Sequence, residues 1–316
     1  MKDKVSYPSM GIYTKLLKRL GNYLGWETIP PEKPDDATVE MGARFMNELM
    51  CLPAKVGLGQ FIVACKKGAT KLLMFDSCGQ CRLKTYWILQ ERALKKLGYD
   101  VVIYPIRLGR CTPSDIRRVD PSLSFLKVWM VFFRMLRDVY QLDKTQQYEI
   151  LEESRLVKIG VVGEIFTILE PEINRRLIEK MEKMGVLVHN SLPLSYFIFK
   201  GLYNLGWMKR PGIDRKLWLA ARKKAHEYFP KEIGGHGNES IIHTIYYALK
   251  GFDGVIHVLP FPCMPESTVA IILDDVSREY GIPVMRLIYD TQTGEAGLNT
   301  RLEAFVDILK RKKERR

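Results

Sequence analysis

The stretch Lys71-Leu72-Leu73-Met74-Phe75-Asp76, continued by Ser77-Cys78-Gly79-Gln80-Cys81-Arg82, decides the reading of this chain. Its apolar run is of strand type, and a helical pattern from about Arg82 to Leu97 follows it. Gly98 ends that helix, and Val101-Val102-Ile103-Tyr104 supplies the next strand. Strand, helix, strand is the unit of a parallel sheet covered by helices. Further along, a long helical region covers about Phe125 to Leu156, with Asp143-Lys144-Thr145-Gln146 as a break point.

The same grammar returns at Lys158-Ile159-Gly160-Val161-Val162-Gly163-Glu164, a strand running into a glycine turn. A helix from about Glu172 to Met184 and the strand Val186-Leu187-Val188 come next. Leu192 to Phe229 reads as irregular and aromatic-rich. Gly254-Val255-Ile256-His257-Val258-Leu259 is then a buried strand, Ser267 to Tyr280 a helix, and Pro283-Val284-Met285-Arg286-Leu287-Ile288 another strand. No simple short-period repeat is visible. The expected fold is α/β, with two Rossmann-like parallel-sheet domains and helical additions. The expected boundary lies near residue 155, giving domains 1–154, with Cys51 and Cys78/Cys81, and 155–316, with Cys263.

The 316 residues are 47% hydrophobic and 27% charged, a globular rather than a disordered composition. Met1-Lys2-Asp3-Lys4-Val5 has no apolar core of a secretory signal. The most apolar stretch, Val128-Trp129-Met130-Val131-Phe132-Phe133, is cut off by Arg134 and Arg137, short of the ~20 residues of a membrane span. A cytoplasmic protein without a membrane partner is therefore expected. The net charge is +13, part of it in Lys310-Arg311-Lys312-Lys313-Glu314-Arg315-Arg316. No nucleic-acid recognition motif accompanies that charge, so no nucleic acid is expected as partner. An acidic protein or a phosphate-bearing cofactor fits the same excess.

Six cysteines in an intracellular chain of this size do not suggest a disulfide scaffold. Cys51-Leu52-Pro53, Cys111-Thr112-Pro113 and Cys263-Met264-Pro265 share one pattern, a proline two residues after the cysteine. Proline is tolerated in a first helical turn, which places each cysteine just before a helix, near free N–H groups and the positive dipole end. That setting stabilises a thiolate, the form that binds metal. Cys78-Gly79-Gln80-Cys81 lies between strand and helix, where it suits either a thioredoxin-type redox pair or a metal site. The company of Cys51 and Cys263 in equivalent settings favours an iron–sulfur site, because closed zinc sites usually gather two short-spaced pairs. Cys65, in Phe61-Ile62-Val63-Ala64-Cys65, reads as a small core residue. Ligand roles for Cys78 and Cys111 stay open.

These segments resemble the family of the 2-hydroxyacyl-CoA dehydratase D component and related double-cubane-cluster proteins, in particular the branch related to acyl-CoA dehydratase activases. The matching stretches are Cys51-Leu52-Pro53-Ala54-Lys55, Cys78-Gly79-Gln80-Cys81-Arg82, Ile159 to Glu164, Gly234-Gly235-His236-Gly237, Pro260 to Glu266 and Asp290 to Gly297, ending in Thr300-Arg301-Leu302-Glu303-Ala304-Phe305. The resemblance implies an iron–sulfur cluster, [4Fe-4S] or a double-cubane derivative, in a cleft between the domains, with ligands at Cys51, Cys81 and Cys263. It also implies low-potential electrons from a separate ATP-hydrolysing activase in an anaerobic cytoplasm, passed to an acyl-CoA or another small molecule. No G-x-x-x-x-G-K-[ST] sequence is present, so ATP hydrolysis falls to that partner. A homodimer or a related second subunit fits the same pattern.

Gly234-Gly235-His236-Gly237 precedes a helical pattern from Ile241 to Leu249. It reads either as a cradle for phosphate or carboxylate, with His236 as a proton donor, or as a plain turn with an Asn or Ser cap. Glu164 and Glu266 are candidate proton carriers, or else helix caps. Lys55, Arg82 and Lys84 neighbour the proposed ligands and could offset cluster charge. A thiol–disulfide oxidoreductase using Cys78 and Cys81 is the alternative function.

Overall fold

The computed structural model describes residues 3–77, 80–107, 112–146, 156–205 and 212–315. Cys78 and Cys111 fall outside them. The chain divides into two compact units, residues 1–145 with 194–205, and residues 146–193 with 206–316.

The first unit runs β1 (Lys4–Ser6), α1 (Thr14–Leu24), β2 (Glu27–Ile29), α2 (Asp36–Ala43), α3 (Leu52–Lys66), β3 (Lys71–Asp76), α4 (Leu83–Lys96), β4 (Val102–Arg107), α5 (Pro113–Val119) and α6 (Phe125–Gln146). The second begins with β5 (Lys158–Gly163), α7 (Ile165–Leu169), α8 (Leu177–Lys183) and β6 (Leu187–Asn190). After α9 (Leu194–Leu205) come α10 (Arg215–Tyr228), α11 (Gly237–Leu249), β7 (Gly254–Pro260), α12 (Met264–Tyr280), β8 (Val284–Tyr289) and α13 (Glu295–Glu314).

Among the described residues each unit holds one four-stranded parallel sheet, in the orders β2-β1-β3-β4 and β6-β5-β7-β8. The α/β expectation holds, and both units are Rossmann-like. The two strand orders are the same arrangement used twice, a topological repeat with no short sequence period behind it. In each, the order reverses beside the first strand of the unit, between β1 and β3 and between β5 and β7. Open α/β sheets bind ligands beyond the carboxyl ends of strands at such a point.

Burial follows the strand patterns. All seven residues of β7 are buried, as a central parallel strand covered on both faces requires. In the first unit α3 is buried along most of its length, because α2 and α4 flank it while its inner face meets β3. Gly42 and Gly59 permit the α2–α3 contact. A Cβ on Gly42 would stand 1.8 Å from the Lys55 carbonyl oxygen, and one on Gly59 would stand 1.9 Å from that of Thr38.

The first unit closes at residue 145 and takes in residues 194–205 as well. Leu192 to Phe229 is mostly helical, forming α9 and α10, rather than irregular. And α9 belongs to the first unit although it lies between elements of the second. Its start is held there by Asp143, which accepts from Ser195 N at 2.5 Å, and by Tyr13, whose hydroxyl accepts from Leu194 N at 3.1 Å. Tyr13 itself donates to the fully buried Asp143. The opening β1-α1-β2 is also absent from the sequence reading, since strands of three residues leave almost no period to detect.

Candidate functional site

Cys51 is the N-cap of α3, in extended backbone (φ −66°, ψ 154°), with proline in the first turn. Cys263 has the same role on α12 (φ −73°, ψ 111°), again with proline in the first turn. Cys81 precedes the N-cap of α4, Arg82. All three therefore stand beside the unpaired N–H groups of a helix start, where the dipole favours a thiolate. Cys81 lies between β3 and α4, and Cys263 between β7 and α12, each beyond the carboxyl end of a strand flanking the reversal of strand order. Cys51 and Cys81 are half-buried, and Cys263 is buried.

In the first unit, Cys51 and Cys81 open helices that pack together, with Gln90 Nε2 of α4 donating to the Ala54 carbonyl of α3 at 3.1 Å. Tyr86 of α4 ties this corner. Burial, then the charge of the Cys51 side chain and a hydrogen bond with it, hold the phenol well above its ordinary range, while Arg82 pulls it down. Cys51 thus faces a buried hydroxyl, and the Arg82 cation acts on the same corner. Lys55, in contrast, is buried, and its Nζ lies 3.3 Å from both the carbonyl and the Oε2 of Glu48.

Cys65 is a core residue, as its apolar neighbourhood predicts. Burial pushes its thiol up to about 11.

In the second unit, Glu164 and Glu266 occupy the two sides of the β5/β7 reversal. Glu164 caps α7, accepting from Phe166 N at 2.9 Å, Thr167 N at 2.8 Å and Thr167 Oγ1 at 2.7 Å. Burial, opposed by these hydrogen bonds and reinforced by the charge of Glu266, raises its carboxyl above the usual range. Glu266, one turn into the helix that Cys263 begins, points inward. Its Oε2 stands 2.8 Å from His257 Nε2 and accepts from Ser240 Oγ at 2.8 Å. Glu266 Oε1 and His257 Nδ1 are buried with no hydrogen-bond partner among the described residues. Both candidate carboxylates are therefore present at one sheet edge, Glu164 as a helix cap and Glu266 as part of a buried triad with Ser240 and His257.

The triad partner His257 was legible only as part of a strand. Its one signal is a histidine inside an otherwise apolar run that is buried on both faces. Tyr86 and Ser240 carry no such signal.

The glycine turn behaves mainly as a turn. Gly234 and Gly235 adopt φ of 83° and 58°, a region that disfavours side chains. His236 is the N-cap of α11 and makes no side-chain cap hydrogen bond. Asn238 closes the turn instead, accepting from Ile233 N at 2.9 Å and donating to the Lys231 carbonyl at 2.8 Å. A Cβ on Gly237 would approach the Pro265 carbonyl oxygen to 3.0 Å, so the starts of α11 and α12 pack closely. His236 is thereby set beside the helix start that Cys263 caps.

Among the described residues, no group of three or more His, Cys, Asp and Glu side chains is disposed to hold a metal ion. Nor is any described helix long and apolar enough to cross a membrane. No protein-family model matches the sequence, and no curated protein does.

Proposed function

We propose that the chain is an iron–sulfur protein of the 2-hydroxyacyl-CoA dehydratase D-component type. In this reading Cys51, Cys81 and Cys263 hold the cluster in a cleft between the two units, with Cys78 as a further candidate ligand. Low-potential electrons come from a separate ATP-hydrolysing activase and pass to an acyl-CoA or another small molecule. The chain acts in the cytoplasm as a homodimer or with a related subunit, without nucleic acid or membrane.

The observation that carries the reading is the common setting of the three cysteines at helix starts, with Cys81 and Cys263 each beyond the carboxyl end of a strand that flanks the reversal of strand order. Thiolates in such positions suit a cluster of soft iron and sulfide, and not a hard cation such as magnesium or calcium. When bound, the cluster supplies one-electron chemistry. The residues around it would then tune charge through Arg82, and hold protons through Glu164, Glu266 and His236.

The test is anaerobic purification with iron and sulfide analysis and electron paramagnetic resonance. A brown protein with bound iron and sulfide is expected, and joint replacement of Cys51, Cys81 and Cys263 by Ser should remove most of both. Unchanged iron in the triple variant overturns the reading.

A further inference from the structure

The sheet of the first unit is packed differently on its two faces. Strand side chains alternate between faces. Leu72 and Met74 of β3 join Leu58 and Phe61 of α3 and Leu94 of α4 in one continuous buried cluster. On the opposite face the core is divided. One cluster gathers around Leu73 and Val119, the other around Ile116 and Val128.

A cavity of about 370 Å³ lies between those clusters, and Leu73, Val119 and Ile116 all line it. Its floor continues over Phe75 and Ile106, and its walls include Leu136 of α6 and Ile198 of α9. Protein interiors close-pack and leave few voids larger than a water molecule. A chamber of this size instead falls within the span of small-molecule sites, roughly 300–1,000 Å³.

The lining states what the chamber can hold. Among the described residues it carries no charged side chain. The described lining side chains with a polar N or O atom are Tyr13 and Trp26, and both atoms are engaged. Tyr13 donates to Asp143, and Trp26 Nε1 donates to Asp120 Oδ2 at 3.0 Å. An occupant therefore gains only desolvation and dispersion. Phe75, Ile106 and Phe132 remain half-buried, so the chamber is open to solvent and a polar head can stay in water.

The chain leaves the second unit to set α9 here and then returns, and α9 is fixed through Asp143 and Tyr13.

We propose that this chamber binds the straight hydrocarbon chain of a small amphiphile, with its polar head at the mouth. The site lies on the sheet face opposite α3 and α4, and it does not rest on the iron–sulfur reading.

Titration of the full chain with cis-parinaric acid, a fluorescent straight-chain acid, and displacement by decanoate test this. One saturable site that decanoate empties is expected. The double variant Leu136→Phe with Ile198→Phe fills the chamber and should weaken parinarate binding at least tenfold without lowering the melting temperature. Binding that does not saturate, or equal affinity in the folded double variant, overturns the proposal. If that variant does not fold, Ile198→Ala replaces it. The enlarged chamber should then shift preference from decanoate toward dodecanoate at least threefold, and an unchanged ratio overturns the proposal. Cosedimentation with phosphatidylcholine vesicles, without displacement of parinarate by decanoate, would assign the surface to a membrane and overturn it as well.

Discussion

Glu266 and His257 meet with Oε2 and Nε2 2.8 Å apart, both residues wholly excluded from solvent. One stands a single turn inside the helix begun by Cys263, the other on the central strand that leads to it. Because a buried polar group depends on its partners, this contact fixes how the start of α12 sits on β7. Replacing His257 by Leu leaves the carboxyl with Ser240 alone. A loss of about 1–3 kcal/mol is expected from removing one of the two partners of a buried acceptor, read as a shift of the denaturant midpoint.

Glu164 gives a pH signature. Its folded carboxyl lies above the ordinary range, whereas the unfolded group titrates near 4.3. Folded protein thus holds the proton over a pH interval in which the unfolded chain has released it. Stability contributed by this group is full below about pH 4 and falls as pH rises toward the folded value. Compared with Glu164→Gln, which cannot titrate, the wild type should lose melting temperature between pH 4 and 8. A constant difference between the two proteins across that range would show that Glu164 is not so shifted.

Helix packing in the first unit makes a contrasting pair of glycine predictions. Gly42→Ala drives a methyl group against the Lys55 backbone and should destabilise by about 3 kcal/mol or more. Gly297→Ala, in α13 with nothing within 4 Å of the new Cβ, should stabilise by about 0.5–1 kcal/mol. Thermal unfolding of the two variants beside the wild type checks both signs.

The cysteines should differ in reactivity. Cys65, with its thiol pushed up to about 11 and its side chain in the core, should resist iodoacetamide at pH 8 until denaturant is added. Cys51 and Cys81, half-buried at helix starts, should be alkylated in folded, metal-free protein. Mass spectrometry of the labelled peptides reads this directly, and early labelling of Cys65 would contradict its core placement.

Much of the site was legible because it is local. A proline after a cysteine announces a helix start, and α3 and α12 begin where Cys51-Leu52-Pro53 and Cys263-Met264-Pro265 place them. Glycine at 98 and 281 marks the turn after α4 and the end of α12 through backbone that only glycine adopts easily. Central strands such as β5 and β7 declare themselves as apolar runs.

What sequence alone determined, then, is the alternation of the longer strands and helices around the two sheet centres and the positions of Cys51, Cys65, Cys81 and Cys263 along it, because both follow from neighbours a few residues away. Tertiary structure decided the rest. The pairing of His257 with Glu266, the move of α9 onto Asp143, and the chamber that α9 helps to wall all join residues whose proximity no local pattern encodes. Such contacts depend on which buried surfaces find a partner, and that is settled only when the whole chain has folded.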